Sequence, residues 1–275
     1  MAWNYLLPTI SSLPSGYDCT VPLPIDAIAR RITAGPCTVT AQYRVYHEGI
    51  VVHEDSLRIA FDERMRPTAA PPPLVWRDAG PSWGGRTGFL ELSFRAEDER
   101  EVFTSKAAIG FYTIYTGPGK KSFFSDNAYK YGAPPIISQI AAFGRFVDGY
   151  PVVHLDRDRD FGESITLINP YKRPVLAKIL SHDGRTTGNI KILPLSARSV
   201  ALIDLLRPDE RSWFGQIQLT ASNRLVTYSV KHAISDPMLI SDHEHLDPFR
   251  ADPTHLPAFQ ALRQRIGKYL ELRRA

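Results

Sequence analysis

Two widely separated stretches of this chain carry the same order of residue types, and that constrains its fold more than any other feature. Ser82-Trp83-Gly84-Gly85, followed by Gly88 to Phe94 and Val102 to Ile109, is echoed by Ser212-Trp213-Phe214-Gly215, followed by Gln216 to Thr220 and Leu225 to Ile234. The segment from Thr38 to Tyr43 matches Ile165 to Tyr171 at nearly the same offset. A repeat of this length predicts two copies of one β-domain, which is a statement about architecture and not about activity.

The rest of the composition fits that expectation. Twenty-two prolines and eighteen glycines fall between short apolar runs, as in a protein of many short strands joined by turns. With 43% hydrophobic and 23% charged residues, the 275-residue chain can bury a core in each copy. No window approaches the apolar length of a spanning helix, and the N-terminus lacks the basic region of a signal peptide. Cys19 and Cys37 make no disulfide framework, so two structural thiols and a cytoplasmic address are expected. The net charge of +4 resides in the last nineteen residues, where Arg263, Arg265, Lys268, Arg273 and Arg274 face only Glu271. A body that sums to neutral does not predict a nucleic-acid-binding face, and a membrane-surface role is not expected.

The spacing divides the chain into four parts. Residues 1–125 form an N-terminal β-sandwich whose first 35 residues wrap it as a proline-rich segment with a short helical turn near Ile25 to Ile32. Residues 126–160 are interdomain, residues 161–236 are the second sandwich, and residues 237–275 are a polar loop and a C-terminal helix. In the first copy, Val39 to Tyr46 and Ser56 to Phe61 alternate apolar and polar residues, and Gly88–Arg95 with Glu101–Ile109 reads as a hairpin. In the second, six short runs are separated by turns, of which Asp183-Gly184 is the strongest hairpin signal. Pro257 opens an amphipathic helix with Phe259, Leu262, Ile266, Tyr269 and Leu270 on one face. The predicted fold class is therefore all-β: two tandem immunoglobulin-like sandwiches with a C-terminal amphipathic α-helix. The turn residues Asn169-Pro170, Asp183-Gly184, Leu193-Pro194 and Phe214-Gly215 are similar to those of many bacterial β-sandwich modules. That resemblance covers about a quarter of the chain and implies no functional residue.

Candidate chemistry is sparse. His243-x-His245 on an extended segment places two imidazoles on one face. Asp247 continues the same period and His255 follows, a set that could hold a divalent metal, with His232 at the end of the preceding strand. The Asp-x-His-x-His-type element resembles the metal motifs of amidohydrolase-like enzymes, which implies hydrolytic chemistry but also a (β/α)₈ barrel that this strand pattern does not predict. Asp156-Arg157-Asp158-Arg159-Asp160 opens like a calcium loop, yet Phe161 and Leu167 stand where that loop needs glycine and a bidentate glutamate. Gly117 to Ser122 lacks the spacing of a phosphate loop, and no nucleophile elbow is present. What remains is surface. Tyr112, Tyr115, Phe123, Phe124, Tyr129 and Tyr131 form an aromatic cluster between the two copies, suited to a protein or glycan partner. The C-terminal helix, with Arg263 and Lys268, suits a protein partner or a second copy of the chain. The expected function is a non-catalytic binding or assembly subunit without a cofactor. The alternative is a metal-dependent, hydrolase-like enzyme using His243, His245 and Asp247.

Overall fold

Alternation of apolar and polar residues dictates most of what forms. A computed structural model describes residues 4–6, 8–33, 35–77, 87–98, 100–104, 109–117, 121–129, 146–222, 225–246 and 249–250. In Cys37–His47 the odd-numbered Val39, Ala41, Tyr43 and Val45 are buried while Thr40, Gln42 and Arg44 face outward, as a half-buried strand requires. The chain divides into two compact units, Met1–Gly132 and Ala133–Ala275.

Unit 1 contains β1 (Thr9–Leu13), β2 (Asp18–Val21), α1 (Ile25–Ala29), β3 (Cys37–His47), β4 (Ile50–Phe61), β5 (Leu74–Trp76), β6 (Gly88–Ala96), β7 (Tyr112–Thr116), β8 (Ser122–Asp126) and β9 (Ala128–Tyr129). They make two sheets of order β4-β3-β6-β1-β9 and β5-β2-β7-β8. The first 35 residues are not a wrap: their apolar and small residues supply β1 and β2, both inside sheets. Between the sheets, a closed ring of hydrogen bonds joins β1 to β7. The Ser11 hydroxyl donates to Thr113 Oγ1 at 2.8 Å, Thr113 donates to Asn127 Oδ1 at 3.1 Å, and Asn127 Nδ2 donates back to Ser11. Tyr115 Oη donates to the Ser12 carbonyl at 2.8 Å. All these groups are buried, and the ring satisfies each of them. Cys19 and Cys37 are both free and buried.

Unit 2 contains β10 (Phe146–Asp156), β11 (Phe161–Asn169), β12 (Val175–Ser181), β13 (Ile190–Ile192), β14 (Ser196–Ala201), β15 (Ser212–Ala221), β16 (Val226–Ala233), β17 (Ile240–His245) and β18 (Phe249–Arg250). The hydrogen-bonded array has two halves, β13-β12-β15-β10 and β14-β11-β16-β17, whose strands pair with each other, among the described residues, only through Asp156↔Phe161 at the β10–β11 turn. Val153, Ile179, Ile217 and Leu219 from the first half and Ile165 and Leu167 from the second share one apolar core. The turn residues read from sequence have physical roles. Asn169, fully buried, donates Nδ2 to the Arg173 and Leu193 carbonyls at 2.7 and 2.9 Å and accepts the Tyr171 amide, so it pins two loops together. Gly215 lies where a Cβ would stand 2.5 Å from the His182 ring and 2.6 Å from the Trp213 indole.

The two units share one topology. Adding nine to each strand number of unit 1 converts β4-β3-β6-β1 into β13-β12-β15-β10 and β5-β2-β7-β8 into β14-β11-β16-β17. The short final strands follow the same rule, with β9 pairing β1 and β18 pairing β10. The echo around Trp213 thus marks equivalent strands, β6 and β15. The other two matches do not. Thr38 to Tyr43 lies in β3, whose equivalent is β12 and not β11, and the expected hairpin after β6 does not form. Val102 and Phe103 contribute only a bridge from Phe103 to Ile32, and the next strand, β7, joins the other sheet. In the same way β15 and β16 do not pair with each other but lie in different halves.

Boundaries differ from the sequence reading too: residues 146–156 form β10 of unit 2, and the polar stretch after Ser235 contains β17. The segment from Pro257, with Arg263 and Lys268, lies outside the described residues.

Candidate functional site

The aromatic cluster resolves into two faces of one strand pair. β7 and β8 are antiparallel, with Tyr115 opposite Phe123 and Ile114 opposite Phe124. Successive strand residues point to opposite faces. Tyr115 is therefore buried and stacks on Phe123 at 5.0 Å, and Phe123 meets Tyr17 edge-on at 5.2 Å. Tyr115 belongs to the core of unit 1 and is withdrawn from any partner, and Phe123 is half-buried against it. On the other face Phe124 is 68% exposed and Tyr112 58%, and their rings meet edge-to-face at 5.5 Å. Tyr129 lies in β9 opposite Thr9, and Tyr131 lies outside the described residues.

The exposed pair is part of a longer apolar row that the sequence reading missed. Thr20 of β2 is opposite Val75 of β5 on one side and Ile114 of β7 on the other, and Ile114 is opposite Phe124. Val75, Thr20, Ile114 and Phe124 thus line up across all four strands, about 14 Å at the usual strand spacing. Val75 is 43% and Ile114 39% exposed. The signal existed in sequence only as a single outward residue per strand, which alternation alone cannot join into a row.

The equivalent face of unit 2 is in a different state. There Thr166 lies opposite Tyr228, Tyr228 opposite His245, Ser164 opposite Val230 and Val230 opposite His243. Tyr228 and Ile168 are fully buried, and Thr166 and His243 are each 2% exposed.

The histidines sit on this covered face. His243 and His245 flank the Tyr228 ring at 4.9 and 5.4 Å, so the His-x-His period does place both imidazoles on one side of β17. Asp247 and His255 lie outside the described residues. Among the described residues no three His, Cys, Asp or Glu side chains gather as a metal site. His232 is separately engaged: Nδ1 donates to the Ala233 carbonyl at 2.8 Å and Nε2 accepts the Ser164 hydroxyl at 2.7 Å. A backbone carbonyl, not a carboxylate, stands behind the imidazole, and serine and histidine are both buried within the sheet. The pair satisfies polar groups there.

The Asp-x-Asp-x-Asp run is the β10–β11 turn, and its carboxylates are already committed. Asp156 accepts the Asp158 and Arg159 amides at 2.9 and 3.0 Å, Asp158 accepts Arg211 Nε at 2.9 Å, and Asp160 accepts the Ser235 amide at 2.7 Å. Pairing with Arg211 holds Asp158 below the usual carboxylate range, and the Ser235 bonds do the same for Asp160. Near the opposite end of β12, Asp183 is lowered to about 2 by the Ser181 hydroxyl, with Arg185 and the Trp213 indole adding to it. Arg185 reaches on to Glu210 at 2.6 and 2.9 Å, so this charged group is a clamp on the Asp183-Gly184 turn.

No family model matches this chain, and no curated protein matches it. One solved structure, a β-glucuronidase from Ruminococcus gnavus in complex with D-glucaro-δ-lactam, aligns over 88% of this chain and 36% of its own length, at 8% identity and a TM-score of 0.15. The chain thus spans about a third of that protein, and a similarity this low carries no argument. Among the described residues no helix is long and apolar enough to cross a membrane.

Proposed function

We propose that the chain is a non-catalytic binding subunit that docks a protein partner on the outer face of β5-β2-β7-β8. The observation that supports it is the contrast between equivalent faces: in unit 2 Thr166, Tyr228, Val230 and His243 on this face are buried, while in unit 1 it presents Val75, Ile114, Phe124 and Tyr112 to solvent. Phenylalanine and tyrosine each gain about 1.5–3 kcal/mol when such a side chain is fully buried, and anchors of this kind dominate protein interfaces. An aliphatic-aromatic row suits a protein better than a glycan, because Val75 and Ile114 offer nothing to a hydroxyl group.

The same reading takes each unit as an immunoglobulin-like sandwich, supported by two arrays of strands around a shared interior. It keeps the C-terminal amphipathic segment as a second contact element, for a partner or for another copy of the chain, on the strength of its periodicity. A cytoplasmic setting belongs to it too, supported by two free, buried thiols, of which Cys19 is pushed by burial up to about 12.

Photocrosslinking in the cells that make the protein tests this reading. A benzophenone side chain replaces Tyr112 or Phe124, and Leu193, an exposed residue of unit 2, serves as the control position. The expected result is one discrete protein adduct from positions 112 and 124 that position 193 does not give. The absence of an adduct at 112 and 124, or the same adducts from all three positions, would refute the docking face.

A further inference from the structure

The opposite sheet of unit 1 carries a groove of a different chemistry. It has a volume of about 510 Å³ and is walled on one side by the N-terminal segment at Tyr5 and Pro8. The floor follows from register. Ser56, Gln42 and Ser93 lie abreast on β4, β3 and β6, and Arg58, Thr40 and Arg95 form the next row. Tyr5 bridges Arg95 and extends that second row to the wall. These side chains lie on the face opposite Ala41 and Phe94, so the floor consists of short hydroxyl and amide groups where the reverse side is packed core.

Most of the charge around the groove is cancelled internally. Arg58 Nε and Nη2 hold Glu97 at 2.5 Å each, and the Thr40 hydroxyl donates to the same carboxylate at 2.9 Å, which fixes it in place and keeps its pKa below the ordinary range. Arg44 Nη2 and Gln42 Nε2 both donate to Glu54 Oε1, at 2.9 and 2.7 Å, so the acceptor that Gln42 can offer a ligand is its side-chain oxygen Oε1. Arg95 is the exception. It is exposed on the groove lining and makes no ion pair among the described residues. The groove therefore combines one uncompensated guanidinium, a preset carboxylate, hydroxyls at Ser56 and Ser93, an amide carbonyl and an aromatic wall.

From this geometry we propose that the groove binds an acidic oligosaccharide, with the Arg95 guanidinium on its carboxylate, Tyr5 against a sugar ring and Gln42, Ser56, Ser93 and Glu97 on its hydroxyls. Guanidinium and carboxylate match as a two-pronged, charge-assisted pair. A neutral sugar would leave Arg95 without a counterion, and a peptide would leave the hydroxyl rows without partners. The site lies on the other sheet from the protein-docking face and does not depend on it.

Calorimetric titration of the whole chain with tetragalacturonate, and with maltotetraose as the neutral counterpart, tests the assignment. Saturable binding of the acidic tetramer is expected, with the neutral one at least tenfold weaker. Arg95→Gln weakens the acidic ligand by about tenfold or more, the loss of one charge-assisted pair. Tyr5→Ala weakens both ligands. Lys178→Ala, on the equivalent sheet of unit 2, leaves binding unchanged, and an unaltered thermal midpoint of each variant establishes that it is folded. No saturable heat with tetragalacturonate at millimolar concentration overturns the proposal. So does equal affinity for the two tetramers, or binding that survives both Arg95→Gln and Tyr5→Ala.

Discussion

Glu163 shows how one side chain can work against its own fold. It is 4% exposed on β11, where its Oε1 accepts the Ser229 hydroxyl at 2.5 Å. Burial raises its pKa above the ordinary carboxylate value, and this outweighs the Ser229 bond and the attraction of Lys231, both of which act to lower it. The folded state thus holds this proton more tightly than the unfolded chain. Its contribution to stability is present at acid pH, below the unfolded pKa, and is lost as pH rises through the folded pKa. Glu163→Gln removes the titration, so the variant should be more stable than the parent at neutral pH and lose that advantage below the carboxylate range. Urea unfolding at both pH values checks this. A variant equally weakened at both would show that carboxylate geometry matters more than buried charge. The sequence hides such a residue, because Glu163 falls at the same period as Phe161, Ile165 and Leu167, where a carboxylate breaks the apolar half of the strand. The turn residues were more legible: Gly184 acts through its own backbone, and Asn169 bonds the amide of Tyr171 in its own turn as well as the distant Leu193 carbonyl, whereas Glu163 depends on what lies above it.

At the scale of elements, the β3–β4 hairpin is the clearest success of sequence reading. The alternation of Val39 to Tyr46 and Ser56 to Phe61 lies in its two strands, and Glu48 and Gly49 at the turn take φ of 48° and 84°. Two successive left-handed residues match the right-handed twist of a tight hairpin, but glutamate pays a conformational penalty in that region. Glu48→Asn should stabilise unit 1 by about 0.5–1 kcal/mol, since asparagine tolerates the left-handed region far better. A rise in the urea midpoint at unchanged slope is the expected readout, and no rise would mean that Glu48 makes a compensating contact. The expected hairpin after β6 fails for a contrasting reason. Alternation says that a strand exists, yet it carries no information about which neighbour a strand pairs with. A short connection can return to the same sheet or cross to the other, and only the packing of both sheets decides. For the same reason β1 and β2 looked like a wrap. Their residues are few, half of them polar, and Ser11 becomes an interior residue only once Thr113 and Asn127 are beside it.

For the whole molecule, the repeat was visible through Trp83 and Trp213, but the strand correspondence emerged only from topology. The functional surfaces were less legible still. The docking row takes one residue from each of four strands, and the groove draws on β3, β4, β6 and the N-terminal segment, so neither is a motif along the chain. Since each unit completes its own pairing scheme and core, each should fold alone. Fragments spanning residues 1–132 and 133–275, made separately, are expected to show sharp cooperative thermal transitions and dispersed NMR spectra. A fragment that stays unfolded would mean that its core needs the other unit.

A chain that uses one pairing scheme twice risks joining the wrong copies as it is made, with the opening strand of one unit entering the other. The ring of Ser11, Thr113 and Asn127 works against that error as an identity mark. β1 brings buried Thr9, Ser11 and Ser12 to its sheet, whereas its counterpart β10 brings Val153 and Leu155 to an aliphatic interior. A β1 strand inserted in the place of β10 would strand the Ser11 hydroxyl in that interior, at about 1–3 kcal/mol for the partners it loses. A β10 strand in the place of β1 would leave Thr113 and Asn127 with nothing to close on. Polar groups that add little net stability in the correct fold thereby make the exchanged fold the costlier one, and the two copies can share an architecture without sharing strands.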